Sequence, residues 1–181
     1  MRKRAATWSA ALLTTALAAT GAPGPAAATA PGRHPVFIPY AQTLVVQPAK
    51  MARYDAHRVL RRSGIVVWSS GSCMRRMNRM CTSLDGINRA TILGAVTLRR
   101  ASGCGLTVTG GTEVGHELPR PYKYTHWNGY KLDFRLTNCL NRYVTRTFRA
   151  IGGSQWRARS GNIYYREPDH WDVTFFNCGG C

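Results

Sequence analysis

Six cysteines constrain the fold of this chain more than any other feature, because they imply covalent cross-links within one small domain. An even number of cysteines in an exported domain predicts disulfides, although sequence alone does not fix their connectivity. A zinc ribbon is a weaker alternative, since it needs two close cysteine pairs and only the last two cysteines have that spacing. The favoured disulfides span a short loop, join a strand to a later helix, and close the tail: Cys73–Cys81, Cys104–Cys139 and Cys178–Cys181.

The N-terminus has the three parts of a secretory signal peptide. A basic start (residues 2–4, RKR) precedes an Ala-rich apolar run (residues 10–19), and small residues ending at Ala28 fit a cleavage site before Thr29. The apolar run is shorter than the roughly 20 residues that span a bilayer, and no later segment approaches that length. The sequence therefore predicts a signal peptide over 1–28, a secreted protein and no membrane span.

The remaining chain divides into a lead-in and one domain. Residues 29–47 are rich in proline and lack a helical period, so we expect an extended lead-in there. Residues 48–181 are long enough for a single domain with its own core. We expect this domain to be a monomer.

Hydrophobic periodicity and turn residues predict an α+β fold, a small antiparallel sheet with helices. Apolar residues recur at helical spacing, while shorter stretches alternate or run as apolar strands. The predicted helices cover 48–64, 82–103 and 138–153; the predicted strands cover 65–70, 106–110, 130–134 and two segments within 162–176 joined by a Pro-Asp turn.

The charge of the chain points to polyanionic partners. Twenty-five Lys and Arg oppose eight Asp and Glu, which gives a net charge of +17, and removal of the three basic residues of the signal peptide leaves +14. Such a surface favours nucleic acid, anionic lipid or the anionic polymers of a bacterial wall. For an exported protein the wall polymers are the nearest of these partners.

The stretch YTHWNGYKLDF (residues 124–134) places an acid and a histidine near one another. On a strand, Leu132 faces the core with its apolar neighbours, while Lys131 and Asp133 share the opposite face. Gly129 permits a sharp turn that can bring His126 back over the strand towards Asp133. Asp133 is therefore expected to point either into water or into a site.

The stretch YREPDHWDV (residues 165–173) contains a second pair of chemically active side chains. Pro168 and Asp169 suit the centre of a type I turn, which would place Glu167 and His170 side by side at the tip of a hairpin. Asp172 lies two residues after His170 on the same strand face, where a carboxylate can orient a ligating imidazole.

Together the two stretches offer His126, Asp133 and His170 as ligands of one Zn²⁺, with Glu167 beside them. Three protein ligands leave a fourth position for water, which is typical of a catalytic zinc site. Zinc lowers the pKa of that water to about 7, and a neighbouring Glu can accept its proton. The alternative is that these residues are scattered polar side chains of a cationic domain.

The order of these motifs resembles that of the zinc D-Ala-D-Ala peptidases of bacterial cell walls, which share a fold with the Hedgehog signalling domain. The family carries S-x-H-x-x-G-x-A-x-D followed by E-x-x-H; this chain keeps H-x-x-G-x-x-x-D from His126 to Asp133 and E-x-x-H from Glu167 to His170. The similarity covers roughly residues 84–176. It implies that His126, Asp133 and His170 bind zinc and that Glu167 is the general base, with Asp172 matching a frequent acid of the family.

The chain departs from the family pattern at three places. Tyr124 replaces the family's Ser and Lys131 its Ala. No Arg stands in residues 109–112, where the family has an S-G-Y-R turn whose Arg steadies the oxyanion; Arg120, Lys123 and Lys131 are candidates to replace it. Side chains expected to contact substrate or to shape the site are Glu113, His116, Lys131 and Trp127.

The resemblance implies a secreted zinc peptidase that hydrolyses peptide bonds in peptidoglycan by metal-activated water, as a carboxypeptidase or an endopeptidase. Its partners would be peptidoglycan peptides, with anionic wall polymers bound by the basic surface. Two alternatives remain open: a non-catalytic, zinc-stabilised binding or effector domain, as Hedgehog illustrates for this fold, and a secreted metal-dependent nuclease. The sequence leaves open which bond is cut and whether the wall is the cell's own or a competitor's.

Overall fold

The computed structural model describes residues 49–116 and 122–176, all within one compact unit, Pro31–Cys181. The predicted signal peptide (1–28), the predicted lead-in (29–47), Arg120 and the predicted Cys178–Cys181 pair lie outside the described residues. In the described part, none of the helices combines the length and the apolar character needed to cross a membrane.

Three helices and nine strands form the described structure. The helices are α1 (Arg53–Arg62), α2 (Arg89–Ser102) and α3 (Asn138–Thr147). The strands are β1 (Lys50–Met51), β2 (Ile65–Val67), β3 (Ile87–Asn88), β4 (Leu106–Gly110), β5 (Lys131–Arg135), β6 (Arg149–Gly152), β7 (Gln155–Arg157), β8 (Ile163–Arg166) and β9 (His170–Thr174).

The strands form two sheets. The larger has seven strands in the order β2-β4-β5-β9-β8-β7-β6, with β2 and β4 parallel and the other neighbours antiparallel. The smaller is the antiparallel pair β1-β3. The prediction of an α+β fold is confirmed. The larger sheet is mixed, however, because β2 and β4, which come after α1 and α2, run parallel to each other.

The two faces of the central strands differ in chemistry. Leu132 and Phe134 of β5 and Trp171 and Val173 of β9 are fully buried in the hydrophobic core with residues of all three helices. The indole Nε1 of Trp171 donates to Oδ1 of Asn141 on α3 at 2.8 Å. Because side chains alternate along a strand, the intervening polar residues lie on the face opposite this core.

Helix α2 begins later than predicted. Residues 82–84 have no regular secondary structure, residues 85–86 form a turn, and a two-residue strand precedes the helix, which starts at Arg89. The hydroxyl of Thr82, at the predicted start of the helix, instead forms hydrogen bonds to the carbonyls of Trp68 and Thr109, at 2.7 and 2.9 Å. Long-range hydrogen bonds therefore hold this segment as a loop.

Helix α3 ends earlier than predicted, at Thr147. Residues 149–152, expected to extend the helix, pair with β7 as a strand. The turn between these strands contains Gly152 and Gly153 at φ +88° and +56°, in the left-handed region that favours glycine. The prediction that this helix extends to residue 153 was therefore wrong.

Two disulfides confirm the predicted pairing within the described residues. Cys73–Cys81 closes a short loop with a Cα–Cα distance of 4.7 Å, and Cys104–Cys139 joins the segment after α2 to α3 with a Cα–Cα distance of 5.7 Å. We name residues 73–81 the Arg/Met loop, because its sequence is CMRRMNRMC.

Candidate metal centre

Asp133 lies at the centre of the polar face of the sheet. It is 3 % exposed and pairs across the strands with Asp172. A side chain at position 110 of the neighbouring strand would overlap its carboxylate, so Gly110 provides the space that Asp133 occupies. Of the two alternatives, water or a site, the structure places this carboxylate in a buried site.

His126 is brought over strand β5 by the turn at Gly129, as the sequence predicted. Gly129 has φ +76°, and its amide donates to the carbonyl of His126 at 2.8 Å. The imidazole is fully buried, with Nδ1 2.7 Å from the carbonyl oxygen of Gly111. Since a carbonyl can only accept, Nδ1 carries the proton and donates it, which leaves Nε2 facing Asp133 Oδ1 at 3.2 Å.

His116 lies in the same site. Its ring stacks on that of His126 with centroids 4.3 Å apart, and its Nδ1 is 3.7 Å from Asp133 Oδ2. These two histidines and Asp133 form a group that could hold a metal ion, because each offers one ligand atom and these atoms lie within 4.8 Å of one another. His116 was predicted only as a site-shaping or substrate-contacting residue, and this proximity makes it a candidate ligand.

Glu113 is buried beneath His116 and fixes the loop that carries it. Its carboxylate accepts from the amide of Ser83 at 2.6 Å and from the amide of Gly111 at 3.0 Å. Its Oε1 also lies 3.2 Å from His116 Nε2. These contacts hold the loop in place.

Glu167 and His170 meet at the tip of the β8-β9 hairpin. The amide of Glu167 donates to the carbonyl of His170 at 3.0 Å, and this bond closes the hairpin around Pro168 and Asp169. His170 Nε2 lies 3.5 Å from Asp133 Oδ1 and 3.7 Å from Glu167 Oε2. The hairpin thus delivers both side chains to the rim of the buried site, although His170 is not part of the compact group above.

Asp172 does not orient His170 as predicted. Its Oδ2 accepts from the buried ammonium of Lys131 at 2.7 Å and lies 3.8 Å from His126 Nε2. The Nδ1 of His170 instead lies 2.8 Å from Oδ1 of Asp169. The physical reason is that a buried ammonium requires a carboxylate partner, and Asp172 lies on the adjacent strand within its reach.

The charges of the site shift the pKa values of its histidines. Burial alone lowers the pKa of His126, but the carboxylates of Asp133 and Asp172 reverse this and raise it to about 10. Burial likewise lowers and Asp133 raises the pKa of His170, with a net increase. Burial by itself raises the pKa of Asp133. The facing imidazole of His126 outweighs this effect of burial, so the pKa of Asp133 lies below its ordinary value.

These residues fit a divalent cation. Asp133 Oδ1 is buried and completes no hydrogen bond of good geometry within the described residues, although two imidazole nitrogens lie near it. A bound cation would satisfy this oxygen and take the place of a proton on His126. Imidazole and carboxylate ligands suit zinc, but also other transition metals, so the donor set alone does not select one metal.

Two further side chains line the neighbourhood without having been predicted. Tyr165 pairs across the strands with Asp172, so it belongs to the row that contains Asp133. Strand alternation could have placed it there once the hairpin register was assigned. The guanidinium of Arg76 lies 3.7 Å from the ring centroid of Trp127, which is 40 % exposed. No motif in the sequence connects these last two residues.

Comparison with protein-family models, curated protein sequences and solved structures gives no match to this chain. The similarity of its two motifs to the zinc D-Ala-D-Ala peptidases stays a prediction. The chemistry of the described side chains is therefore the basis on which a function can be proposed.

Proposed function

We propose that this protein is a secreted zinc-dependent peptidase that hydrolyses peptide bonds in the stem or cross-link peptides of peptidoglycan. The observation that carries the proposal is the convergence of imidazoles from His126 and His170 on one buried oxygen, Asp133 Oδ1, with the carboxylate of Glu167 beside them. The order of these residues in the chain supports a Hedgehog/D-Ala-D-Ala peptidase-like fold as part of the same proposal.

In this proposal His126, Asp133 and His170 hold the metal. The nitrogens of His126 and His170 face the same oxygen of Asp133, at 3.2 and 3.5 Å, whereas His116 faces the other oxygen at 3.7 Å. His116 is the competing candidate for the third ligand, because its ligand atom lies within 4.8 Å of the ligand atoms of His126 and Asp133. Only one of them can be the third ligand of a catalytic zinc, since four protein ligands close the site to water.

Glu167 acts as the general base. A bound zinc ion would polarise the scissile carbonyl and lower the pKa of a water molecule towards 7. The Glu167 side chain is 14 % exposed at the hairpin tip, close enough to solvent to exchange protons and close enough to His170 to act at the site. Its carboxylate would accept the proton of the attacking water and pass it to the amine that leaves.

Lys131 is unsuited to the role of the missing arginine. Its ammonium is buried and already bound to Asp172, so a substrate oxygen could reach it only if that ion pair broke. The pair instead neutralises one of the two carboxylates next to His126. We assign Lys131 and Asp172 a positioning role behind His126 and Asp133.

The distribution of charge supports an anionic polymer as the surrounding partner. Among the described residues, only Asp55 and Asp85 are acids that lie away from the site, while arginines occur on all three helices. A cationic surface around an acidic centre attracts an anionic wall and leaves the centre itself for a cation.

The test combines metal content with activity. Purified protein should contain about one zinc per chain and should release peptides or amino acids from purified peptidoglycan, measured by chromatography of the digest. Bound zinc without release from any wall preparation would favour the non-catalytic binding or effector domain. Cleavage of nucleic acid but not of wall would favour the nuclease.

A further inference from the structure

The polar face of the larger sheet continues beyond the metal centre onto β4 and β2. Arg135 lies two residues after Asp133 on β5 and pairs across the strands with His170, so it shares the face of the site. On β4 this face carries Thr107, which is half-buried, and on β2 it carries Val66, which pairs with Thr107 and is exposed. This open part of the sheet is therefore continuous with the candidate metal centre.

Trp68 stands at the far edge of this face, directly after β2. Its indole is 48 % exposed, and the guanidinium carbon of Arg135 lies 5.2 Å from the ring centroid. That contact places the indole on the same face as Arg135 and therefore on the face of Asp133. Because neighbouring strands lie about 4.8 Å apart and β4 lies between β2 and β5, Trp68 is about 10 Å from Asp133 along the sheet.

Hydrogen bonds on both sides of Trp68 fix its backbone. Its amide donates to a carbonyl of β4 at 2.9 Å, and its carbonyl accepts from the hydroxyl of Thr82 at 2.7 Å. The hydroxyls of Ser69 and Ser70 both donate to the carbonyl of Met80 in the Arg/Met loop, at 3.0 Å. A disulfide closes that loop. The indole is thus presented from a fixed backbone, which lowers the entropic cost of binding a ligand.

An exposed indole bordered by a hydroxyl and a guanidinium has the chemistry that binds a sugar ring. A pyranose offers a face of C–H groups that packs on an aromatic ring, and a rim of hydroxyls that bond to Thr and Arg side chains. Asp133, Glu167 and the exposed Asp169 lie on or beside the same face and would repel a phosphodiester. An uncharged sugar meets no such repulsion.

We infer that Trp68 is a stacking platform for an amino-sugar ring, with Thr107 and Arg135 bonding to the hydroxyls of that ring. The inference rests on the proposed function for the source of the sugar, and it adds the substrate class: stem peptides that are still attached to the glycan of peptidoglycan. An extended residue spans about 3.3 Å, so the sugar on Trp68 would lie roughly three residues from a bond at the metal centre.

The test measures sugar binding separately from hydrolysis. The purified protein is titrated by calorimetry with chitotetraose, a linear oligomer of N-acetylglucosamine that carries no peptide. We expect wild type to bind it and Trp68→Ala to bind roughly tenfold more weakly, with an intermediate affinity in Trp68→Phe, which keeps a smaller ring. The matched control is Tyr54→Ala, which removes another exposed aromatic ring that packs on an arginine, Arg53, and should bind as wild type does.

Absence of sugar binding by wild type, or equal binding by wild type and a folded Trp68 variant, would overturn the inference. Binding of a single-stranded oligonucleotide through Trp68, without binding of the sugar, would also overturn it and would indicate stacking of nucleobases.

Hydrolysis distinguishes these results from failure of the proposed function. Wild type should cleave a sugar-linked stem peptide with a lower KM than the same peptide without the sugar, and Trp68→Ala should lose this difference. Equal KM values for the two peptides in wild type would keep the peptidase and reject the platform. Binding of sugar through Trp68 without cleavage of either peptide would keep the platform and reject the peptidase.

Discussion

The two halves of the candidate metal centre are held in different ways. His126 and Asp133 are buried, with side chains 1 % and 5 % exposed, and are fixed by the turn at Gly129 and the register of β5. Glu167 and His170 occupy a hairpin tip, with side chains 14 % and 21 % exposed. The first half is set by packing, and the second half by a local turn.

This difference separates two requirements of a metal-dependent hydrolase. Ligands that hold a cation benefit from burial, because a low-dielectric surrounding strengthens their attraction to it. A general base needs contact with water, because it must take up and release protons. The buried half suits the first task and the hairpin suits the second, so substitutions in the two halves should fail in different ways.

The largest effect is expected from Asp133→Ala in the buried half. It removes the oxygen on which two imidazoles converge and leaves the buried His126 with less compensation of its charge. We expect loss of zinc and a decrease of about 3 kcal/mol in the free energy of unfolding of the metal-free protein. Elemental analysis measures the zinc content, and denaturant unfolding measures the free energy of unfolding. The control is Asp55→Ala, at an exposed ion pair, which should change the free energy of unfolding by less than about 1 kcal/mol. Full zinc in Asp133→Ala would contradict the site.

Glu167→Gln should abolish activity and keep the metal. The substitution preserves the size of the side chain and removes only the proton acceptor, which typically lowers the rate by about 10²–10⁴. Release of peptides from peptidoglycan is compared with wild type at equal zinc content. An unimpaired variant, given an active wild type, would reject Glu167 as the base.

His170→Ala and His116→Ala test where the third ligand lies. We expect His170→Ala to lose zinc, and His116→Ala to weaken zinc binding by roughly 10–100-fold, as for a residue that supports ligands. Competition with a chromophoric chelator measures both affinities. The reverse ranking would move the third ligand from the hairpin to the loop that carries His116 and would separate His170 from metal binding.

The smallest effect is expected from Tyr165→Phe, in the strand that enters the hairpin. The change removes one hydroxyl from the row that contains Asp172 and Asp133, so zinc content should be unchanged and activity should fall by less than about tenfold. Peptide release at saturating and at low substrate concentrations distinguishes an effect on kcat from one on KM. The control is Tyr54→Phe, at an exposed site on α1, which should leave zinc content and activity unchanged.

Features that depend on neighbours in the chain were predictable from sequence. Strand β4 has the predicted bounds, and the Pro168-Asp169 turn forms because those two residues favour that geometry wherever they occur. The approach of His126 to Asp133 follows from a glycine three residues after the histidine and from strand alternation. Both disulfides in the described part match the favoured pairing, although the sequence alone did not fix their connectivity.

Features that depend on distant residues were decided only by the tertiary structure. Thr82, at the predicted start of a helix, lies in a loop because its hydroxyl bonds to two remote carbonyls. Asp172 pairs with Lys131 and does not orient His170, because a buried ammonium lies within its reach. His116 entered the site because Glu113, bonded to the amide of Ser83, fixes its loop there. The sequence by itself thus determined which donors exist and how the local turns present them. Long-range hydrogen bonds and the pairing of buried charges, which no local pattern encodes, decided how those donors are combined.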